Sequence, residues 1–96
     1  MDFEHYQHKY SAFDALHFPN ASLEEIEDKM LEEMTELSYE IQRTFTPLEK
    51  KIEEAIDVFN MSVKLLTAYG VKDICHAAAE KLRITSEKYR AQGVGK

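Results

Sequence analysis

The chain has 96 residues, a formal net charge of −6 and a hydrophobic fraction of 44%, which suit a single domain with a modest core. The acidic balance argues against a nucleic-acid backbone or an anionic membrane surface as the main partner. Cys75 is the single cysteine, so no internal disulfide forms. The sequence shows neither the apolar core of a signal peptide nor a run that could span a bilayer, and we expect a cytoplasmic protein.

The first of four predicted helices covers residues 2–17, where apolar side chains recur every three or four positions. Most of them are aromatic, among them Tyr6, Tyr10 and Phe13. Such a stripe is typical of a core or a subunit interface, and the alternative is that one ring stacks on a nucleobase. Pro19 ends the pattern.

The second predicted helix covers residues 23–43 and begins at a capping box formed by Ser22 and Glu25. Its apolar residues form one stripe, and charged residues gather along one flank of that stripe. This flank contains Lys29, Glu33, Glu36 and Glu40.

The third predicted helix covers residues 47–69, with Thr46 and Glu49 as a second capping box and Gly70 as the residue that ends it. Its apolar arc is so wide that we expect a central helix packed on two sides. Glu54 falls inside this arc, where a carboxylate is costly unless it is paired or metal-bound.

The fourth predicted helix covers residues 71–90, and its second half is basic. The basic residues are Lys81, Arg83, Lys88 and Arg90. They are either favourable charge at a helix C-terminus or a cationic rim that binds substrate phosphates. The four helices predict an all-α, four-helix bundle-like domain over residues 1–90, in an oligomer, with a disordered tail over residues 91–96.

Two pairs of acids have a spacing of three residues, Glu33 with Glu36 and Glu54 with Asp57. On a helix each pair lies on one face, where like charges repel. Two such pairs on antiparallel helices would form an oxygen-rich pocket suited to Mg²⁺ or Mn²⁺. The alternative is two solvated acidic faces. Asn60, three residues after Asp57, can offer an amide to the same place.

The pattern Glu32-Glu33-x-x-Glu36, followed on the next helix by Glu54-x-x-Asp57, resembles the signature of the MazG-like, all-α nucleotide pyrophosphohydrolases. The resemblance extends roughly from Lys29 to Leu66. It implies a dimeric or tetrameric helical enzyme that uses Mg²⁺ or Mn²⁺ to hydrolyse nucleoside triphosphates between the α- and β-phosphates, releasing the monophosphate and pyrophosphate.

Positions carried over from that resemblance give the expected site. The expected metal ligands are Glu33, Glu36, Glu54 and Asp57. Glu32 corresponds to the glutamate that in some relatives orients or deprotonates the attacking water. The sequence itself, and not the resemblance, gives the expected substrate-binding residues, from the acidic flank, the aromatic stripe, the amide three residues after Asp57 and the basic half of the fourth helix. These residues are Lys29, Asn60, Lys81, Arg83, Arg90 and Tyr10.

Two other functions fit the same sequence. Phosphoribosyl-ATP pyrophosphohydrolases share the helical plan and a similar acidic pattern, but Met61 stands where their helix usually places a histidine. A non-catalytic helical assembly protein with solvated acidic faces is the second alternative, and it predicts no stabilisation by metal.

Overall fold

A computed structural model describes residues 1–93 and contains four α-helices. Their bounds are α1 (Phe3–His17), α2 (Leu23–Gln42), α3 (Leu48–Ala68) and α4 (Ile74–Ala91). The all-α, bundle-like prediction is confirmed. No helix within the described residues is long and apolar enough to cross a membrane.

α2 and α3 form the principal helix pair of the molecule. Tyr69 after the end of α3 donates a hydrogen bond of 2.7 Å to Glu27 near the start of α2. At the other end, Thr46 before α3 donates one of 2.9 Å to Glu40 near the end of α2. The two helices are therefore antiparallel, as their short connection requires.

α1 packs on the second half of α3 through aromatic and polar contacts. The ring of Phe59 lies 5.9 Å from that of Phe3 and 6.1 Å from that of Tyr6, measured between centroids. The Tyr6 hydroxyl donates to the side-chain oxygen of Asn60. Within residues 1–93, α4 makes only marginal contacts with the other helices, and Ile74 is its single buried residue.

Helix capping agrees with the sequence at Ser22 and differs at two other starts. The Ser22 hydroxyl accepts a hydrogen bond of 3.1 Å from the backbone N–H of Glu25. The predicted cap at Thr46 is wrong, because its hydroxyl instead donates to a carboxylate of α2 and no side chain caps α3. The predicted start of the fourth helix at Val71 is also wrong. Asp73 caps α4 by accepting from the N–H of His76 at 2.9 Å.

Other helix ends shift by a residue or two. The first helix starts at Phe3, since Asp2 is its N-cap, and the second ends before Arg43. Gly70 adopts the expected left-handed conformation, with φ of 92°. The predicted disordered tail began at Ala91, but the structure places that residue in α4. Residues 94–96 of that tail lie outside the described residues.

The buried core of the chain is small for its length. Among residues 1–93, four apolar residues are buried: Ile26, Met61, Val63 and Ile74. The accessible surface is 7572 Å², against about 5,700 Å² for a compact protein of this mass. The radius of gyration is 16.1 Å, against about 12.5 Å for a compact chain of this length. Much apolar surface is thus left uncovered within the single chain.

Candidate metal centre

Two glutamates are buried between α2 and α3. Glu33 is 7% exposed and Glu54 is 6% exposed. The Oε2 atom of each carboxylate is buried and has no hydrogen-bond partner among residues 1–93. A buried carboxylate oxygen without a partner is costly, so a cation or a bound water is expected at both atoms.

Glu36 brings a third carboxylate to the same place. One oxygen from each of Glu33, Glu36 and Glu54 lies within 4.8 Å of the others. Glu36 itself is exposed, so the cluster is buried on one side and reaches solvent on the other. An accessible group of oxygen donors is the type of site that binds Mg²⁺ or Mn²⁺.

Asp57 lies within electrostatic reach of this cluster. Burial raises the pKa of its carboxyl, and the negative charges of Glu33 and Glu54 raise it further. The charge of Glu33 is likewise the main cause that raises the pKa of Glu36. Asp57 itself is exposed and is not among the three residues whose carboxylate oxygens lie within 4.8 Å of one another.

A lysine precedes each buried glutamate by one helical turn. Lys29 Nζ lies 3.1 Å from Glu33 Oε1, and Lys50 Nζ lies 3.0 Å from Glu54 Oε1. These hydrogen bonds raise the pKa of both lysines. Each lysine therefore forms an ion pair with Oε1 of its glutamate, and Oε2 has no partner among residues 1–93.

The two helices repeat the same arrangement of charges. α2 carries Lys29-x-x-Glu32-Glu33-x-x-Glu36, and α3 carries Lys50-x-x-Glu53-Glu54-x-x-Asp57. Because α2 and α3 are antiparallel, the buried glutamate of each repeat faces that of the other. Sequence analysis did not single out Lys50, although its i, i+4 spacing to Glu54 was visible.

Glu32 lies outside the buried part of the cluster. Its side chain is 59% exposed, and its Oε1 lies 3.5 Å from Lys29 Nζ. This ion pair ties it to the lysine that also binds Glu33. Asn60 is half-buried and accepts the hydrogen bond from Tyr6, so α1 contacts α3 one turn beyond Asp57.

The expected substrate-binding residues divide into two groups. Lys29 and Tyr10 line a cavity between α1, α2 and α3 that adjoins the cluster. Lys81, Arg83 and Arg90 are exposed on α4. The guanidinium of Arg83 binds carboxylates of its own helix, 2.6 Å from Glu80 Oε1 and 2.7 Å from Glu87 Oε1. Within one chain, the structure does not bring the α4 residues together with the cluster.

The chain was compared with protein-family models, with curated proteins and with solved structures, and no match was found in any of the three comparisons.

Proposed function

We propose that the chain is a metal-dependent nucleotide pyrophosphohydrolase that cleaves nucleoside triphosphates between the α- and β-phosphates. The observation that carries the proposal is the pair of buried Oε2 atoms, on Glu33 and Glu54, without partners among residues 1–93. Solvated acidic faces would place these oxygens in water. The MazG-like pattern of the sequence gives the same residues the role of metal ligands.

The residues present fit Mg²⁺ or Mn²⁺. Glu33, Glu36 and Glu54 supply hard oxygen donors within 4.8 Å of one another, and Asp57 adds a fourth carboxylate in their electrostatic field. A divalent ion bound here supplies charge neutralisation for the polyphosphate and an activated water as nucleophile. Four carboxylates exceed the charge of one such ion, so we infer room for two.

The remaining polar groups have separate tasks in this proposal. Glu32, with its exposed carboxylate, accepts a proton from the attacking water. Lys29 and Lys50 hold the buried glutamates in place through Oε1. Both lysines are about half-exposed, but Lys29 also lines the cavity beside the cluster and is therefore the lysine better placed to bind a phosphate oxygen.

The test is an incubation of the protein with a panel of NTPs and dNTPs plus Mg²⁺ or Mn²⁺, with the products separated by anion exchange. We expect the monophosphate and pyrophosphate. Glu54→Gln should lower kcat/KM at least about 100-fold, since even changes in groups that only orient metal ligands cost 10–100-fold. Release of orthophosphate, or no product with any nucleotide, contradicts the proposal.

The matched control is Glu53→Gln, the same change one residue earlier, at an exposed position. It should retain activity. A thermal melt gives a second readout, because a ligand that binds only the folded state raises the midpoint. Mn²⁺ at 100 times its Kd should raise the midpoint by roughly 10 °C in the parent and in Glu53→Gln, and not in Glu54→Gln.

We also propose that the chain acts as a homodimer or homotetramer. The accessible surface exceeds that of a compact protein of this mass by roughly 1,900 Å², while a standard interface buries about 800 Å² per partner. The exposed side of α3 supports a second copy as the occupant. It carries Leu48, Ile52, Ile56 and Phe59, all at least 44% exposed.

The alternatives predict different outcomes. A phosphoribosyl-ATP pyrophosphohydrolase would turn over that substrate and not the common NTPs. A helical assembly protein would need a heterologous partner and would show neither turnover nor a Mn²⁺-induced shift in the melt. The unpartnered Oε2 atoms favour a metal-binding enzyme over the assembly protein.

A further inference from the structure

A cavity of about 270 Å³ lies where α1, the start of α2 and the second half of α3 meet. Its walls are mainly apolar and aromatic, from Tyr10, Phe18, Ala21, Ile26 and Met61. A smaller cavity of about 160 Å³ continues from it and shares Tyr10 and Ile26. Apolar walls with aromatic rings and a few polar groups are typical of a small-molecule site, and the volume suits a small ring system rather than a whole nucleotide.

The charged residues that line this cavity are Asp14, Glu25, Lys29 and Lys64, and two of them form an ion pair across it. Lys64 Nζ lies 2.7 Å from Asp14 Oδ1, and the two side chains are only 12% and 22% exposed. The same Nζ lies 4.9 Å from the centre of the Phe18 ring. A buried ion pair gains little net stability, because desolvation offsets the attraction. A role in binding explains its presence better than a role in folding.

The cavity adjoins the carboxylate cluster. Lys29 lines the cavity and also binds Glu33 at 3.1 Å. Tyr10 lines the cavity as well; burial, Asp14 and Tyr6 are the main causes that raise the pKa of its hydroxyl, and the charge of Asp57 adds to them. One ligand can therefore reach from the cavity to the cluster.

We propose that this cavity binds the nucleobase of the nucleotide whose phosphates lie at the cluster; the position of the phosphates rests on the proposed function. The ring of the base lies against Tyr10 and Phe18, and its polar edge meets Asp14 and Lys64. Every nucleobase has a flat π-face and an edge with adjacent donors and acceptors. The carboxylate of Asp14 only accepts hydrogen bonds and the ammonium group of Lys64 only donates them. Together they can bind one donor and one adjacent acceptor on the edge of the base.

The first test uses nucleosides without phosphate, which probe the cavity alone. In saturation-transfer NMR with the full-length protein, the base protons of at least one nucleoside should receive saturation from the protein. Phe18→Ala should weaken its binding about tenfold, because stacking of one base on one aromatic ring contributes roughly that factor or more. Phe18 is 56% exposed, so the variant is expected to fold. The matched control Tyr89→Ala, at an aromatic residue of similar exposure on α4, should bind as the parent does.

The second test addresses the edge of the base. Asp14→Asn keeps the shape of the side chain and adds a donor. It should change the ratio of affinities among the four nucleosides severalfold and leave the Mn²⁺-induced shift of the melting midpoint unchanged. Absence of nucleoside binding in the parent at millimolar concentration, or equal losses in Phe18→Ala and Tyr89→Ala, would overturn the proposal.

The outcomes separate the two proposals. Nucleoside binding without hydrolysis of any nucleotide refutes the pyrophosphohydrolase and supports the cavity as a base site. Hydrolysis of all nucleotides at equal kcat/KM, with no nucleoside binding, supports the pyrophosphohydrolase and refutes the base site.

Discussion

The side of α3 that packs on α2 carries the buried carboxylate of Glu54, whereas the opposite side of the same helix exposes Ile52 and Ile56 to solvent. Globular proteins ordinarily show the reverse, because charge is costly inside and contiguous apolar patches are rare outside. Neither side of α3 is therefore fully satisfied by the rest of the single chain. In the proposed function, a cation binds the inner side and a second copy covers the outer side.

The largest expected effect comes from placing charge on the outer side. Ile52→Asp should dissociate the proposed homo-oligomer, because an unpaired buried carboxylate costs several kcal/mol and raises the dimer Kd at least about 1,000-fold. Light scattering should then give the monomer mass of 11.2 kDa. Leu16→Asp, at an exposed apolar residue at the end of α1, is the control and should remain assembled. If the parent protein is already monomeric, the proposed homo-oligomer is refuted.

The next effect comes from removing charge on the inner side. Glu54→Met should stabilise the metal-free protein by about 1–2 kcal/mol, because it removes a buried carboxylate oxygen that has no hydrogen-bond partner among residues 1–93. The partner of Glu54, Lys50, is about half-exposed and can return to water, so no buried charge is left unpaired. The same variant should lose both the Mn²⁺-induced shift and activity. Urea unfolding with and without Mn²⁺ measures both effects. Glu53→Met, on the exposed side, should change the unfolding free energy by less than about 0.5 kcal/mol.

A smaller effect is expected at Asp57 and depends on pH. The raised pKa of this carboxyl means that the folded state keeps the proton to a higher pH than the unfolded state. The free energy of unfolding therefore falls as pH rises from the usual carboxyl pKa through the raised one. Asp57→Asn should stabilise the metal-free protein by roughly 0.5 kcal/mol at pH 7 and by less at pH 4. An equal gain at both pH values would show that charge is not the cause.

The smallest effect is expected at the ion pairs of α4. Arg83 binds Glu80 and Glu87 at the surface, where such pairs contribute about 0.5 kcal/mol or less. Arg83→Ala should leave the unfolding free energy and the Mn²⁺-induced shift nearly unchanged. A large loss of kcat/KM in this variant would instead support the expectation that Arg83 binds phosphate, from a neighbouring copy.

The sequence predicted the four helices because each has apolar side chains at helical spacing, and because Pro19, the Ser22 cap and Gly70 mark three of the helix ends. The prediction of a helix cap was wrong where the side chain had a second possible hydrogen-bond partner. Thr46 has the sequence of a cap, but the carboxylate of Glu40 lies within 2.9 Å of its hydroxyl. That carboxylate belongs to another helix, and its approach depends on how α2 and α3 pack.

The burial of Glu54 was predictable, since the residue lies inside an apolar arc. The burial of Glu33 was not, because the sequence placed it on the flank of the α2 stripe beside Glu36. The structure buries Glu33 and exposes Glu36. A small rotation of α2 about its axis decides which of the two is covered, and helical periodicity does not resolve it. The cavity was also beyond prediction, because it depends on how α1 crosses α3.

α4 illustrates what weak packing means for a helix in water. Most of the stability of a helix in a protein comes from tertiary packing rather than from the helix alone, and few contacts with α1–α3 hold the 18 residues of α4. In the separate chain, the amide hydrogens of α4 should exchange with solvent much faster than those of α2 and α3. If a second copy covers α4, the hydrogen exchange of its amides will slow as protein concentration rises. The exchange rate of α4 then measures how much of the protein is assembled.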